Sequence, residues 1–255
     1  MKFLFKMIFL KNLQRYKNVI HGVLERKDGS VNPFSNPRTE KNILRALKKL
    51  GYKNAEVDNL IFADQVHGKN IHFCPPGVGG YIKLQTDGLI TKTSGQILVI
   101  KSADCLPILI YDPKQGKVGA IHAGREGITK GIIEMTIKAF NSQPSSLIVG
   151  IGPHIRKCCY YLKKENENLT QESELKKYIQ KRNGKFYVDL TQVVIDKLSK
   201  FGVRKENIED CGICTFCQAE RFYSARKREK QPEIYQKEKE QFPCFGSFIG
   251  LLPEN

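Results

Sequence analysis

ILVIKSADCLPILIYDPKQGKVGAIHA, residues 97–123, decides the fold class. Ile97-Leu98-Val99-Ile100 is a continuous apolar run of strand length, and Leu106 to Tyr111 and Lys117 to Ile121 are two more. Between the last two, Asp112-Pro113-Lys114-Gln115-Gly116 has the chemistry of a turn, so those strands form a hairpin. C-terminal to this stretch the period changes. Ile133, Ile137 and Phe140 fall on one face of a helix spanning Ile128 to Phe140, and Ser146 to Ile151 returns as a buried strand ending at Gly152-Pro153. N-terminal to it, Asn59 to Val66 reads as a strand running into a turn at Gly68. A helix from Thr39 to Leu50 precedes that strand, with Ile43, Leu44, Leu47 and Leu50 at helical spacing, Thr39 as cap and Gly51 as stop. Pro75, Pro76, Gly77, Gly79 and Gly80 mark a loop. Lys185 to Leu190 is expected as a strand, Thr191 to Phe201 as a helix ended by Gly202, and Cys244 to Leu251 as the last strand. Mixed strands and helices of this kind make an α/β or α+β fold with layered packing. Neither an internal repeat nor a low-complexity linker interrupts the chain, so residues 1–255 read as one domain.

Apolar residues are 40% of the chain, enough to build a packed core and to exclude wholesale disorder. The net charge of +16 raises nucleic acid, anionic membrane and phosphorylated small molecules as partners. The basic residues are spread along the chain, however. Their densest run, Arg226-Lys227-Arg228-Glu229-Lys230, lacks the interleaved aromatics of a base-stacking platform and reads as a solvated surface. Met1 to Leu10 is apolar but broken by Lys2 and Lys6, with no small-residue cleavage site after it, and no run approaches membrane-spanning length. At most, residues 1 to 11 make an amphipathic surface contact. A cytoplasmic chain is expected, with its eight cysteines as thiols or metal ligands rather than disulfides.

Three potential ligands each sit just past an expected strand: His67, Cys105 and His122. Strand ends at one edge of a sheet converge and hold ligands rigidly. A thiolate with two imidazoles suits zinc or copper rather than magnesium. Three protein ligands leave a fourth tetrahedral position open, which is the catalytic rather than the structural pattern. Cys211-x2-Cys214-x2-Cys217 resembles half of a structural zinc site, and Cys158 and Cys159 are the residues that would complete it in space. The closing pair at finger-like spacing is absent, so these cysteines are read as ordinary buried thiols.

The strings around the three ligands carry a resemblance. In order they are Gln65-Val66-His67-Gly68, Thr86-Asp87-Gly88-Leu89-Ile90-Thr91, Ala103-Asp104-Cys105-Leu106-Pro107, Ile121-His122-Ala123-Gly124 and Gly150-Ile151-Gly152-Pro153. Cys158-Cys159-Tyr160, Cys214-Thr215-Phe216-Cys217 and Phe222-Tyr223-Ser224 follow. Together they resemble the laccase-domain proteins, also called YfiH-like or polyphenol-oxidase-like purine nucleoside phosphorylases. The resemblance implies a single-domain αββα sandwich with zinc at His67, Cys105 and His122. It also implies phosphorolysis of adenosine, inosine and 5′-methylthioadenosine, with adenosine deamination by zinc-activated water beside it. Purine nucleosides and phosphate are then the partners, and the protein is a monomer or small homo-oligomer.

Asp104 is the candidate proton shuttle, or else an orienter of Cys105. Arg26, in the partial match Arg26-Lys27-Asp28-Gly29, is the candidate cation for phosphate. Gln65 is expected to orient His67 or touch substrate, and Arg125 to bind substrate. The chain departs from the family pattern in three places. Arg125-Glu126 stands where the family has Trp-Arg, Tyr161 where it has an acid, and Pro243-Cys244 where it has Gly-Arg. Older family names imply copper-dependent polyphenol oxidation, but five histidines are few for a multicopper centre. Two further functions fit the same residues: editing of peptidoglycan precursors, and a basic binding protein with an altered pocket.

Overall fold

The computed structural model describes residues 7–33, 36–77, 79–169, 174–236, 240 and 242–253. A short helix α1 (Lys11–Gln14) leads into strand β1 (Val19–Val23), and helix α2 (Thr39–Lys49) precedes strand β2 (Leu60–Asp64). Strands β3 (Ile71–Phe73), β4 (Gly80–Gln85), β5 (Gly88–Thr91), β6 (Ile97–Ser102), β7 (Leu106–Asp112) and β8 (Lys117–Ala123) follow. Next come helices α3 (Arg125–Lys130) and α4 (Ile132–Phe140), strands β9 (Ile148–Ile151), β10 (Ile179–Arg182) and β11 (Lys185–Val188), and helix α5 (Leu190–Lys200). Strand β12 (Ile208–Asp210), helix α6 (Ala225–Lys230) and strand β13 (Phe245–Leu251) close the order. Among the described residues, one sheet runs β1-β13-β6-β2-β4, a second runs β12-β9-β7-β8-β5-β3, and β10-β11 is a separate ribbon.

Alternation along single strands builds the layers, because successive side chains point to opposite faces of a sheet. In β6, Leu98 and Ile100 join Ile249 from β13 and meet Leu109, Val118 and Ala120 of the second sheet, forming the core between the sheets. Ile97 and Val99 point the other way, onto Ile43, Ala46 and Leu47 of α2. In β7, Ile108 and Ile110 face Ile133, Ile137 and Phe140 of α4 and Val194 and Leu198 of α5. The result is helix, sheet, sheet, helix: the αββα order. Continuous apolar runs such as residues 97–100 arise because both faces of the strand are covered.

The hairpin forms as the turn chemistry requires, with Leu106 opposite Ala123 and Asp112 opposite Lys117. Several expectations are corrected. Arg38 takes the N-cap position of helix α2 without a side-chain capping bond, and Thr39, the first helical residue, donates its hydroxyl to the Asn36 carbonyl at 2.9 Å. The helix expected over Ile128 to Phe140 is two helices, broken at Gly131, which adopts φ +95°. The strand expected over Cys244 to Leu251 starts at Phe245, and the one over Ser146 to Ile151 starts at Ile148. Gly80 opens β4 instead of closing a loop. Residues 1–6 of the proposed amphipathic segment lie outside the described residues. Within the rest of it, Met7 and Leu10 are buried and Ile8 pairs with Val23, so this part belongs to the core. No helix among the described residues is long and apolar enough to cross a membrane.

The fold buries two imidazoles that take no part in the candidate centre. His154 places Nδ1 2.8 Å from the Gly152 carbonyl and Nε2 2.7 Å from the Thr191 hydroxyl. Burial pulls its pKa from 6.5 down to about 4, and burial does the same to His21. The unfolded chain therefore takes up protons below 6.5 that the folded chain refuses until about 4. Stability is full above this window and is lost as pH falls through it. At about 1.4 kcal/mol per pH unit for each imidazole, a drop to pH 5 costs about 2 kcal/mol per histidine. Urea midpoints at pH 7 and pH 5 should show His154→Gln losing less stability than the wild-type protein. Equal losses would contradict this origin for the acid sensitivity.

Candidate metal centre and its two cavities

Topology brings three loops to one end of the sandwich. Strands β2 and β6 run parallel as neighbours, with Phe62 opposite Val99, so the chain leaves both at the same end. After β6 it crosses from the first sheet to the second through Ala103-Asp104-Cys105 and enters β7. Strand β8 returns antiparallel to the same end, with His122 opposite Pro107. The candidate centre therefore lies between two sheets, not along the edge of one. His122 sits inside β8 rather than past its end. Among the described residues, His67, Cys105 and His122 offer ligand atoms that all lie within 4.8 Å of one another.

The spacing fits a tetrahedral ion. Cys105 Sγ lies 3.7 Å from His67 Nε2. Zinc–sulfur and zinc–nitrogen bonds at tetrahedral angles give an edge of about 3.6 Å. The two imidazoles meet edge to face, with ring centroids 4.8 Å apart. His67 is exposed while His122 is buried, so the centre opens to one side. Both ligand-bearing loops are bent tightly, with φ +57° at His67 and +98° at Asp104, values that cost side-chain-bearing residues energy.

Asp87 organises the centre, a role the sequence reading did not assign. Its carboxylate accepts from the amides of Val66 at 3.2 Å, His67 at 3.0 Å and Gly68 at 2.7 Å. The same group lies 2.8 Å from His122 Nδ1. This partner fixes the Nδ1–H tautomer and leaves Nε2 as the donor, the usual outer support of a metal-binding histidine. Burial opposes the charge on Asp87, but the hydrogen bonds from His122 and the Gly68 and Val66 amides prevail and hold its pKa below the usual carboxylate value. Burial lowers the pKa of His122, keeping it neutral. Burial, followed by the neighbouring Asp104 charge, pushes the Cys105 thiol up to about 12. Gly124 completes the enclosure. A Cβ there would lie 2.9 Å from Cys105 Sγ and 2.9 Å from His67 Cδ2.

Two cavities meet at the triad. The larger, of about 580 Å³, is lined by Gln65, Lys101, Arg228, Tyr235 and Phe242 among others. The smaller, of about 440 Å³, is lined by Arg125, Tyr160, Lys163 and Arg226 among others. His67, Ala103, Cys105, Ala225 and Glu229 border both, while His122 lines the larger alone. The basic run read as a solvated surface is thus a cavity wall. Arg226 lies against the rings of Tyr160 and Tyr161 and donates to the Tyr161 carbonyl at 3.0 Å. Arg228 Nη1 is buried with no hydrogen-bond partner.

The remaining candidates fall in different places. Asp104 is adjacent to Cys105, but its carboxylate is occupied by the Thr215 hydroxyl at 2.6 Å and the Arg226 amide at 2.7 Å. Burial raises its pKa against the pull of these donors. Gln65 lines the larger cavity while its amide group closes two bonds on the Lys101 backbone, at 2.8 and 2.9 Å. Arg125 lines the smaller cavity and reaches Glu126 at 3.2 Å. Arg26 lines neither cavity. Its guanidinium donates to the Ala219 and Ile234 carbonyls and lies 4.7 Å from the Tyr235 ring centroid, bracing the cavity wall from behind.

A four-layer αββα sandwich with a His₂Cys cluster at the end of its two sheets defines the structural class. The family described as multi-copper polyphenol oxidoreductase laccase matches residues 35–233, and the chain belongs to that family. A Bacteroides thetaiotaomicron protein named purine nucleoside phosphorylase is 26% identical, over 87% of this chain and 91% of its own length. A Campylobacter jejuni protein of that name is 31% identical over 70% of this chain and 75% of its own. The structure of the Bacillus licheniformis protein YfiH superposes with TM-score 0.74 at 26% identity, covering 96% of each chain. The Geobacillus stearothermophilus protein YlmD, at 23% identity, shares the fold with TM-score 0.76 over 93% of each chain.

Proposed function

We propose that this chain is a zinc-dependent purine nucleoside phosphorylase acting on adenosine, inosine and 5′-methylthioadenosine, with adenosine deamination as a second reaction. The reading is supported above all by His67, Cys105 and His122 converging within 4.8 Å beside two cavities, with His67 and Cys105 lining both and His122 the larger. The names of the relatives point the same way. The donor set suits zinc, which when bound supplies a Lewis acid with an open coordination position.

The rest of the chemistry falls to the chain's own side chains. Tyr235 and Phe242 offer the larger cavity the flat apolar surface that a purine ring needs. Arg228, with its unpartnered Nη1, and Arg125 across the triad are the cations proposed to hold phosphate against the ribose. Asp104 acts as a positioning residue that fixes the 224–226 segment, and Gln65 as one that fixes the end of β2. Arg26 supports Tyr235 rather than meeting phosphate. A multicopper reading is weaker, because of the five histidines His21 and His154 are buried in separate hydrogen bonds, and His72 on β3 is not among the residues of the cluster, which has two imidazoles.

The deciding experiment incubates zinc-loaded protein with each nucleoside, with and without phosphate, and resolves products by chromatography. Free base and the sugar 1-phosphate (ribose 1-phosphate, or 5-methylthioribose 1-phosphate from 5′-methylthioadenosine) should appear only with phosphate, and inosine should form from adenosine in either case. A zinc-loaded protein that releases no base from any of the three nucleosides would rule the proposal out. Oxygen uptake with a catechol by copper-loaded protein would favour the oxidoreductase reading.

A further inference from the structure

Cys158, Cys159, Cys214 and Cys217 come from two segments far apart in sequence, yet their sulfur atoms all lie within 4.8 Å of one another. From this convergence we infer a second metal site in the chain, a tetrathiolate centre for zinc that is separate from the His₂Cys triad.

The spacing is the main argument. Cys217 Sγ lies 3.8 Å from Cys158 Sγ and 3.4 Å from Cys159 Sγ. Four sulfurs around one zinc at about 2.3 Å are separated by tetrahedral edges of about 3.8 Å. Disulfide sulfurs sit at about 2.05 Å, and all eight cysteines are free. A four-iron cluster binds each thiolate to a different iron and spreads the sulfurs too far apart for this arrangement. Four thiolates and no imidazole or carboxylate make a closed, structural zinc set.

Exposure is the second argument. Cys158 and Cys217 are exposed and Cys159 is half-buried, so of these four only Cys214 is the buried thiol expected from the sequence. Free thiols clustered at a surface would be open to oxidation, whereas a bound ion protects them. Cys211, which begins the C-x2-C-x2-C string, stays out of the cluster.

The scaffold is built to hold the cluster. The two segments are joined beside it by a bridge between His154 and Cys214, with the Thr215 amide donating to the His154 carbonyl at 3.0 Å. Backbone groups of Arg156 and Cys217 hydrogen-bond the Cys214 sulfur. Arg156 clamps Asp210 with both nitrogens, each at 2.7 Å. Lys227 places its Nζ 4.7 Å from the centroid of the Phe216 ring, next to Cys217, and brings a positive charge to this loop.

The centre would also brace the first site. Thr215 lies between two of the proposed ligands and donates to Asp104, the neighbour of Cys105. Tyr160, next to Cys159, lines the smaller cavity. Zinc here would tie the 156–160 turn to the 211–217 loop and hold both against the cavity wall.

The test counts metal by native mass spectrometry on protein purified anaerobically with reductant. Wild type should carry about two zinc ions per chain, and His122→Ala about one. Cys158→Ala/Cys217→Ala should also keep about one and lose about 10 °C in melting temperature. Cobalt-loaded His122→Ala should show the intense sulfur-to-cobalt charge-transfer bands of a tetrathiolate site, which needs no cysteine variant to fold. A wild-type chain with a single zinc that His122→Ala removes would overturn the inference, as would a mass deficit from disulfides at these four cysteines. Metal count is independent of turnover, so failure of the phosphorylase assay leaves this result readable.

Discussion

Asp87→Ala is expected to empty the His67–Cys105–His122 centre and to destabilise the fold by about 3–5 kcal/mol, the usual cost of removing one partner from a buried charged network. The carboxylate is fully buried and serves four donors: three consecutive amides of the 66–68 loop and the His122 ring. Alanine removes the acceptor that all four donors share, so part of the desolvation cost of each donor returns. The loop that carries His67 loses its anchor at the same time, and His122 loses the partner that sets its tautomer. Asp87→Asn separates the two effects. It keeps the volume and one carbonyl oxygen, but presents an NH₂ group where an amide donor must be accepted. Zinc affinity should fall about 10–100-fold in this variant, as with other lost partners of metal-bound histidines. The pH dependence has a definite sign. The folded pKa of Asp87 is depressed, so its contribution is present above the unfolded value and is lost as pH falls through the folded value. Urea midpoints of chelated protein and zinc titrations of loaded protein measure the two losses separately. An Asp87→Ala protein with wild-type midpoint and full zinc would remove Asp87 from this role.

What the sequence revealed, and what it withheld, follows from how local each signal is. The hairpin over residues 106–123 was legible because turn residues and apolar runs sit side by side. The triad was legible because each ligand lies beside such a run. Strands β1, β3, β4, β5, β10 and β12 escaped notice because they are short, carry polar residues or contain glycine. In β1, His21 is buried yet looks like a surface residue until Leu10 is seen to supply its hydrogen bond. Asp87 lay within a recognisable string, but its partners come from the 66–68 loop and β8, a convergence that only the sheet pairing creates. The same holds for the four-cysteine cluster and for the basic run at 226–230. Charge alone marks that run as solvent-facing, but its helix closes two cavities. Gly131 broke an otherwise continuous helical period because its left-handed conformation suits glycine, and periodicity does not register that.

Gly124→Ala provides the complementary case, in which metal binding is lost and the fold is kept. The backbone at Gly124 has φ −79° and ψ 166°, a conformation alanine adopts without strain. The whole effect is therefore steric. The new methyl carbon would stand 2.9 Å from both Cys105 Sγ and His67 Cδ2, and 3.7 Å from His67 Nε2, on the edge that the ion must span. His67 is exposed and Cys105 half-buried, so both can swing away at modest cost, on the order of 1 kcal/mol. That movement opens the 3.7 Å edge between sulfur and imidazole. Metal sites tolerate misplacement of only about 0.5 Å, so zinc affinity should fall by at least about 100-fold. Phosphorolysis should fall with it, while the urea midpoint of the metal-free protein stays within about 1 kcal/mol of wild type. Asp87→Ala, by contrast, is expected to lose both metal and midpoint. If Gly124→Ala bound zinc at wild-type strength, the close approach of this backbone would not shape the centre, and the ion would have to sit on another face of the three ligands.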